Sequence, residues 1–146
     1  MEFPKIVLIP ILSGLIAQLS KLLVETVRSG SADLRVINRY GGMPSSHTAL
    51  VVSLTTVIGL MEGLSSAAFA VAIIFSLVTV RDAIGFRMYL GEHAHILNKL
   101  IEDLPAREKP RFPKHIIERI GHTPAEAMIG ALIGIASTLI LWFILP

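Results

Sequence analysis

Two short clusters of polar residues stand where apolar runs begin, and each holds side chains able to handle an anionic group. The first is Pro44-Ser45-Ser46-His47, which opens directly into an apolar stretch. A serine at the N-cap accepts a bond from first-turn amides, and the amides left free make a site for an anion. A histidine in that turn can donate to phosphate or protonate a leaving oxygen. The same residues also describe an ordinary serine-capped helix with an interfacial histidine. The second cluster is Gly121-His122-Thr123-Pro124-Ala125-Glu126. Thr123 at the N-cap, Pro124 at N1 and Glu126 at N3 spell a capping box, so Glu126 has a structural explanation without any catalysis. Capping leaves His122 unexplained. A carboxylate near its ring would fix the tautomer and raise its basicity, which an imidazole nucleophile needs.

Two further sets of charges lie within or beside apolar runs. Lys21 and Arg28 are seven residues apart and share a helix face, with Glu25 between them on the same stripe. They read either as a snorkelling pair partly neutralised by Glu25 or as two cations aimed at one anion. Arg81, Asp82, Arg87, Glu92 and His93 interrupt another apolar run. Charges there are costly and mark a site or an internal pair. A contact of Arg81 or Arg87 with Asp82 or Glu92 is the plainer reading. His93-Ala94-His95 has no further carboxylate or histidine at helical spacing, so no metal site is expected.

These residues must be positioned by helices. Of the 146 residues 53% are hydrophobic and 16% charged, against about 25% charged in soluble domains. Apolar runs cover residues 6–27, 48–61, 67–80 (continuing past Arg81 and Asp82 towards Leu100) and 125–145. A helix rises about 1.5 Å per residue, so the first and last can cross a hydrocarbon core of about 30 Å, while 48–61 and 67–80 are short for full spans and also fit a hairpin that does not fully cross. The first run carries no small-residue cleavage site of the signal-peptide kind. Residues 101–121 hold Pro105, Pro110 and Pro113 and read as a loop with one short amphipathic helix. The expected fold is all-α: a single membrane-embedded domain over 1–146, a bundle of about four to five helices.

With four crossings, residues 28–46 and 87–123 share one side and carry ten of the thirteen Lys and Arg. The positive-inside rule then puts this polar face in the cytoplasm, in a bacterial inner membrane or its equivalent. A formal charge of +2 gives no case for nucleic acid, and without cysteine there is no disulfide or thiolate site. Membrane lipids are the expected surroundings. So thin a bundle leaves a homodimer open as its assembly.

The ordered clusters resemble the type 2 phosphatidic acid phosphatase superfamily, which includes the vanadium haloperoxidases. That family's pattern is Lys-x6-Arg-Pro, then Pro-Ser-Gly-His, then Ser-Arg-x5-His-x3-Asp. Lys21 and Arg28 match the first element, with Ser29 in place of proline. Pro44-Ser45-Ser46-His47 matches the second, with Ser46 in place of glycine. His122 to Glu126 matches the end of the third, with Glu for Asp, but Ile116 stands where its arginine belongs. Arg87 is the nearest replacement, and the run from Arg87 to His93 itself resembles the first half of that element. The third element is thus divided by an insertion, with His93 a rival to His122. The layout is similar to a divergent branch of small bacterial and plant membrane proteins, and it spans residues 11–134.

The resemblance implies a phosphatase-like core acting on a lipid or isoprenoid phosphate with no cofactor and no metal. In it His122 is the nucleophile, Glu126 orients it, and His47 protonates the leaving oxygen. Lys21, Arg28 and Arg87, with amides near Ser45 and Ser46, hold the phosphoryl oxygens. Asp82, Arg81 and His93 are supporting candidates. Two other classes fit the same residues: a non-catalytic scaffold that binds anionic head groups, and a small transporter subunit using Lys21, Arg81 and Asp82. Haloperoxidase chemistry is not expected.

Overall fold

A computed structural model describes residues 4–31 and 41–146. They form five α-helices and one 3-10 turn: α1 (Lys5–Ser29), α2 (Ser46–Glu62), α3 (Ala67–Ile84), α4 (Phe86–Asp103), the turn Lys109–Arg111, and α5 (Pro124–Ile144). No strand occurs among the described residues. Part of the polar stretch 28–46 lies outside them.

The helix starts follow local chemistry. Ser45 accepts from the Thr48 amide and Ser66 from the Phe69 amide, each closing a first turn. Thr123 and Glu126 form the full reciprocal capping box expected from their spacing. The third apolar run is longer and more sharply divided than its hydropathy suggested. It stays helical to Ile84, breaks at Gly85 and resumes as α4. The expected amphipathic helix within 101–121 reduces to the 3-10 turn, because the three prolines leave no uninterrupted stretch of donors.

α2 is the central helix, packed against α1, α3 and α5. Its contact with α5 is close because α5 presents glycines. A Cβ at Gly130 would collide with the Ser45 carbonyl, and one at Gly134 would lie 2.5 Å from the Ala49 carbonyl oxygen. Hydroxyls then join the helices. Ser53 on α2 donates to Ser13 on α1 at 2.9 Å and lies 2.6 Å from Thr138 on α5, while Ser137 donates to Ser13 at 2.8 Å. A second link runs from Thr55 to Ser76 on α3 at 2.7 Å.

The bundle is therefore small and hydroxylated inside, with Ser13, Ala17, Ala49 and Ser53 all fully buried, and large and apolar outside, as at Val78 and Phe143. In water that distribution would be ruinous. In lipid it is expected, because tails solvate Leu and Phe while helix association rests on close packing and interhelical hydrogen bonds. Among the described residues three helical stretches are long and apolar enough to span, and α2 is a shorter apolar helix of 17 residues. The C-terminal ends of α1 and α3 and the N-terminal ends of α2 and α5 thus meet at one face. At the other, the Lys5 ammonium sits 5.2 Å above the Trp142 ring, tying the start of α1 to the end of α5.

Replacing Gly134 with leucine should separate α2 from α5 and abolish a cooperative unfolding transition in mixed micelles. Ser53→Ala should cost about 0.6–2 kcal/mol in the same assay, the range of interhelical hydrogen bonds in membranes.

Candidate functional site

The polar face is assembled by main-chain contacts between helix ends. The Ser45 amide donates to the Glu126 carbonyl at 3.1 Å, and the His122 amide donates to the Ala83 carbonyl at 3.0 Å. These two bonds bring the start of α2, the start of α5 and the end of α3 together. Lys21, buried on α1, reaches the same place: a Cβ at Gly42 would stand 3.1 Å from its Cε.

His122 is delivered by a non-helical strap, residues 115–121, laid along α4. Gly91, Ala94 and Asn98 form the buried seam of that helix. Asn98 grips the strap's backbone at both ends of its amide. Its Nδ2 donates to the Ile116 carbonyl at 2.8 Å, and its Oδ1 accepts from the Ile116 amide at 2.9 Å. Nδ2 also donates to Glu118 at 2.7 Å, and His95 Nδ1 lies 2.9 Å from the other Glu118 oxygen. These hydrogen bonds, that from Asn98 foremost, hold the Glu118 carboxyl below its usual range. The backbones touch at Gly91 against Glu118 and at Gly121 against Met88, leaving no space for a Cβ at either glycine.

His122 is half-buried, and its Nδ1 is out of contact with solvent and without a hydrogen-bond partner among the described residues. Leaving such an atom unpaired costs about 1–3 kcal/mol, and an atom left so in a native fold calls for a reason. Burial lowers the pKa of the ring, Glu126 raises it, and electrostatic interaction with Lys21, His47 and Arg87 lowers it. Four of the residues singled out by type and spacing therefore act electrostatically on one imidazole. The net result is a ring held neutral, as a nucleophile must be.

Glu126 itself is committed elsewhere. One oxygen accepts from the Thr123 amide at 3.0 Å and the other from Arg119 Nη2 at 3.3 Å. Arg87 donates through Nε to Asp82 at 2.7 Å, the internal pair foreseen for these charges. The Ser45 hydroxyl is buried and used for capping, so Ser46 and His47 supply the amides without intrahelical acceptors at the start of α2.

Other candidates are not brought in. Arg28 is exposed in the last turn of α1, about 10 Å along the axis from Lys21. Arg81 is exposed at the end of α3. His93 projects from the exposed apolar face of α4 shared with Phe86, Leu90 and Leu97, away from the Gly91-Ala94-Asn98 seam.

Residues 4–137 match the Divergent PAP2 family. The chain belongs to that family. A similar protein is the uncharacterised membrane protein YuiD of Bacillus subtilis (strain 168). It is 38% identical over 146 aligned residues, covering 90% of this chain and 92% of the relative. No solved structure matches significantly. Family membership and the apolar helices together make this an integral membrane protein with a phosphatase-like scaffold.

Within this divergent PAP2 scaffold two residues escaped the motifs. Arg119 lines, with His95, Glu118, His122, Thr123 and Glu126, an open recess of about 630 Å³ beside the strap. It lies three residues before His122 and fits no helical spacing, since the strap is not helical. Asn98 had a readable sign, as the third small or polar residue on the α4 stripe that begins at Gly91.

The His122 titration should fall below the ordinary histidine value of about 6.5, read from its imidazole carbon and nitrogen shifts in micelles. Glu126→Gln removes the raising charge and should move it lower still, whereas Lys21→Met should move it up. Protonation opposes folding at a group of this kind. Its contribution is complete above the unfolded-state value and is lost as pH falls through that value towards the folded one, so stability should decline on mild acidification.

Proposed function

We propose that the protein is a phosphatase that releases phosphate from a lipid or isoprenoid phosphate at the membrane surface. The observation that supports this best is the neutral, half-buried His122 surrounded by the charges of Lys21, His47 and Arg87. In the proposed reaction the lone pair of His122 Nε2 forms a bond to phosphorus while the bond from phosphorus to the alcohol oxygen breaks. His47 gives its proton to that oxygen. Water then attacks the phosphohistidine, passes a proton to His47 and restores His122. Lys21, Arg87 and the amides of Ser46 and His47 take up the phosphoryl charge as it shifts to the equatorial oxygens. The apolar flanks of the helices suit a substrate whose tail stays in the bilayer while its head meets this face.

A second reading, binding of anionic head groups without turnover, is favoured by one observation: both Glu126 oxygens are engaged away from the His122 ring. Purified protein should release phosphate from short-chain phosphatidic acid or isoprenyl phosphate in the presence of a chelator. His122→Ala should abolish release, and His47→Ala should slow it by about a hundred- to ten-thousand-fold, the usual worth of general acid catalysis. Vanadate binding with no release would instead support the second reading.

The polar face is proposed to be cytoplasmic, since ten of the thirteen Lys and Arg fall in its two segments. With no native cysteine, single cysteines at Lys109 and Ser65 should report opposite sides. In intact cells an impermeant thiol reagent should reach Ser65→Cys and spare Lys109→Cys.

A further inference from the structure

We propose that Arg119 is a substrate-operated latch: it binds an incoming phosphoryl oxygen and, in leaving Glu126, frees that carboxylate to accept a hydrogen bond from His122 Nδ1. The inference rests on the reading of His122 as the nucleophile and deepens it.

Three facts of geometry carry it. First, an imidazole that attacks through Nε2 carries its proton on Nδ1, which needs an acceptor to hold the ring and offset its growing positive charge. Nδ1 is buried and has no such acceptor among the described residues. Second, the Glu126 carboxylate lines the same recess as that ring and acts on it electrostatically. Its capping bond is to the amide of Thr123, the residue that follows His122, and its side chain is only 12% exposed. Third, its other oxygen is held by a weak contact. The Arg119 Nη2 distance of 3.3 Å exceeds the 2.7–2.9 Å usual for a charge-assisted pair.

Arg119 is placed to move. Its side chain is 72% exposed, and it lines the same recess as His122 and Glu126. Its stem runs past Gly41, whose Cβ would stand 3.3 Å from the Arg119 Cγ, so the guanidinium lies beside the segment that leads into α2. A guanidinium meets phosphate as a planar two-pronged donor and binds it better than a single long contact to a carboxylate. An anion in the recess therefore competes for Arg119 directly. The capping bond to Thr123 is untouched by the exchange, so the carboxylate turns about a fixed oxygen and α5 keeps its N-terminus. In this arrangement His122 acquires its acceptor only when a phosphoryl group is present. Arg119 thus adds a guanidinium from the strap to the one that Arg87 supplies in place of the arginine missing at position 116.

A double-mutant cycle on the titration of His122 tests this, without added ligand and independently of any turnover. Arg119→Gln should shift His122 upward, because the released Glu126 now accepts from Nδ1. In a Glu126→Gln background the same substitution should produce no shift. Glutamine at N3 preserves the capping box, so α5 starts normally. Inorganic phosphate should bind Arg119→Gln on the order of tenfold more weakly, the worth of one lost hydrogen bond to a charged group. An upward shift of equal size in both backgrounds would mean that Arg119 is merely a nearby cation, and would overturn the latch. So would an unchanged titration in Arg119→Gln. A normal cycle in a protein that releases no phosphate would uphold the latch and refute the phosphatase reading alone.

Discussion

The contact between α2 and α5 is the constraint on which the rest depends. Gly130 and Gly134 let α5 approach until its backbone meets the carbonyls of Ser45 and Ala49. At that spacing the Ser45 amide reaches the Glu126 carbonyl, which fixes the two helix starts in one register. His47 follows Ser45 by two residues and His122 precedes Glu126 by four, so the same contact decides that both imidazoles emerge at one membrane face. Further along, it holds Ser53 within 2.6 Å of Thr138 and closes the hydroxyl cluster around Ser13. Lipid offers no driving force for burying leucine, so a membrane bundle has only such close approach and hydrogen bonding to hold its helices. The site and the stability come from one interface.

The electrostatics of His122 follow from its place at that interface. Burial and the neighbouring Lys21, His47 and Arg87 push the ring towards neutrality, and the Glu126 carboxylate pulls the other way. Under the proposed function, the side chains that keep the imidazole neutral would also hold the phosphoryl group, and a Lys21 buried on α1 would serve both ends.

Much of this was legible from residue types and spacing. Serine before an apolar run, and threonine with proline and glutamate, mark helix starts because capping is local chemistry. Apolar run length picked out α1 and α5 as spans because the bilayer has a set thickness, but it underrated the third run, whose helix continues past Val80 to Ile84. Pairing of Arg87 with Asp82 was foreseeable, since a charge inside an apolar run must find a partner. The break at Gly85, the strap and Arg119 were not foreseeable in the same way. Arg81, Asp82 and Arg87 flank Gly85 without marking a break at it, and residues 115–121 have no period because their backbone partners lie on another element. The choice between His93 and His122 was left open by spacing for the same reason: it turns on which face of α4 packs against the strap.

The division of the third family element has a physical consequence. Where arginine and histidine share one short segment, their separation is held by the segment itself. Here Arg87 stands in the first turn of α4 and His122 follows thirty-five residues later, and the non-helical return after Asp103 imposes little on where its far end lies. The separation must be restored by contacts made after the chain returns. Asn98 does this by bonding both backbone groups of Ile116, and Gly91 and Gly121 do it by removing every side-chain atom from the closest crossings. The His122 amide on the Ala83 carbonyl completes the register. The precision that a local motif provides through covalent continuity is thus supplied by an asparagine and two glycines outside any motif. Residues such as these decide whether the divided element still assembles as one site.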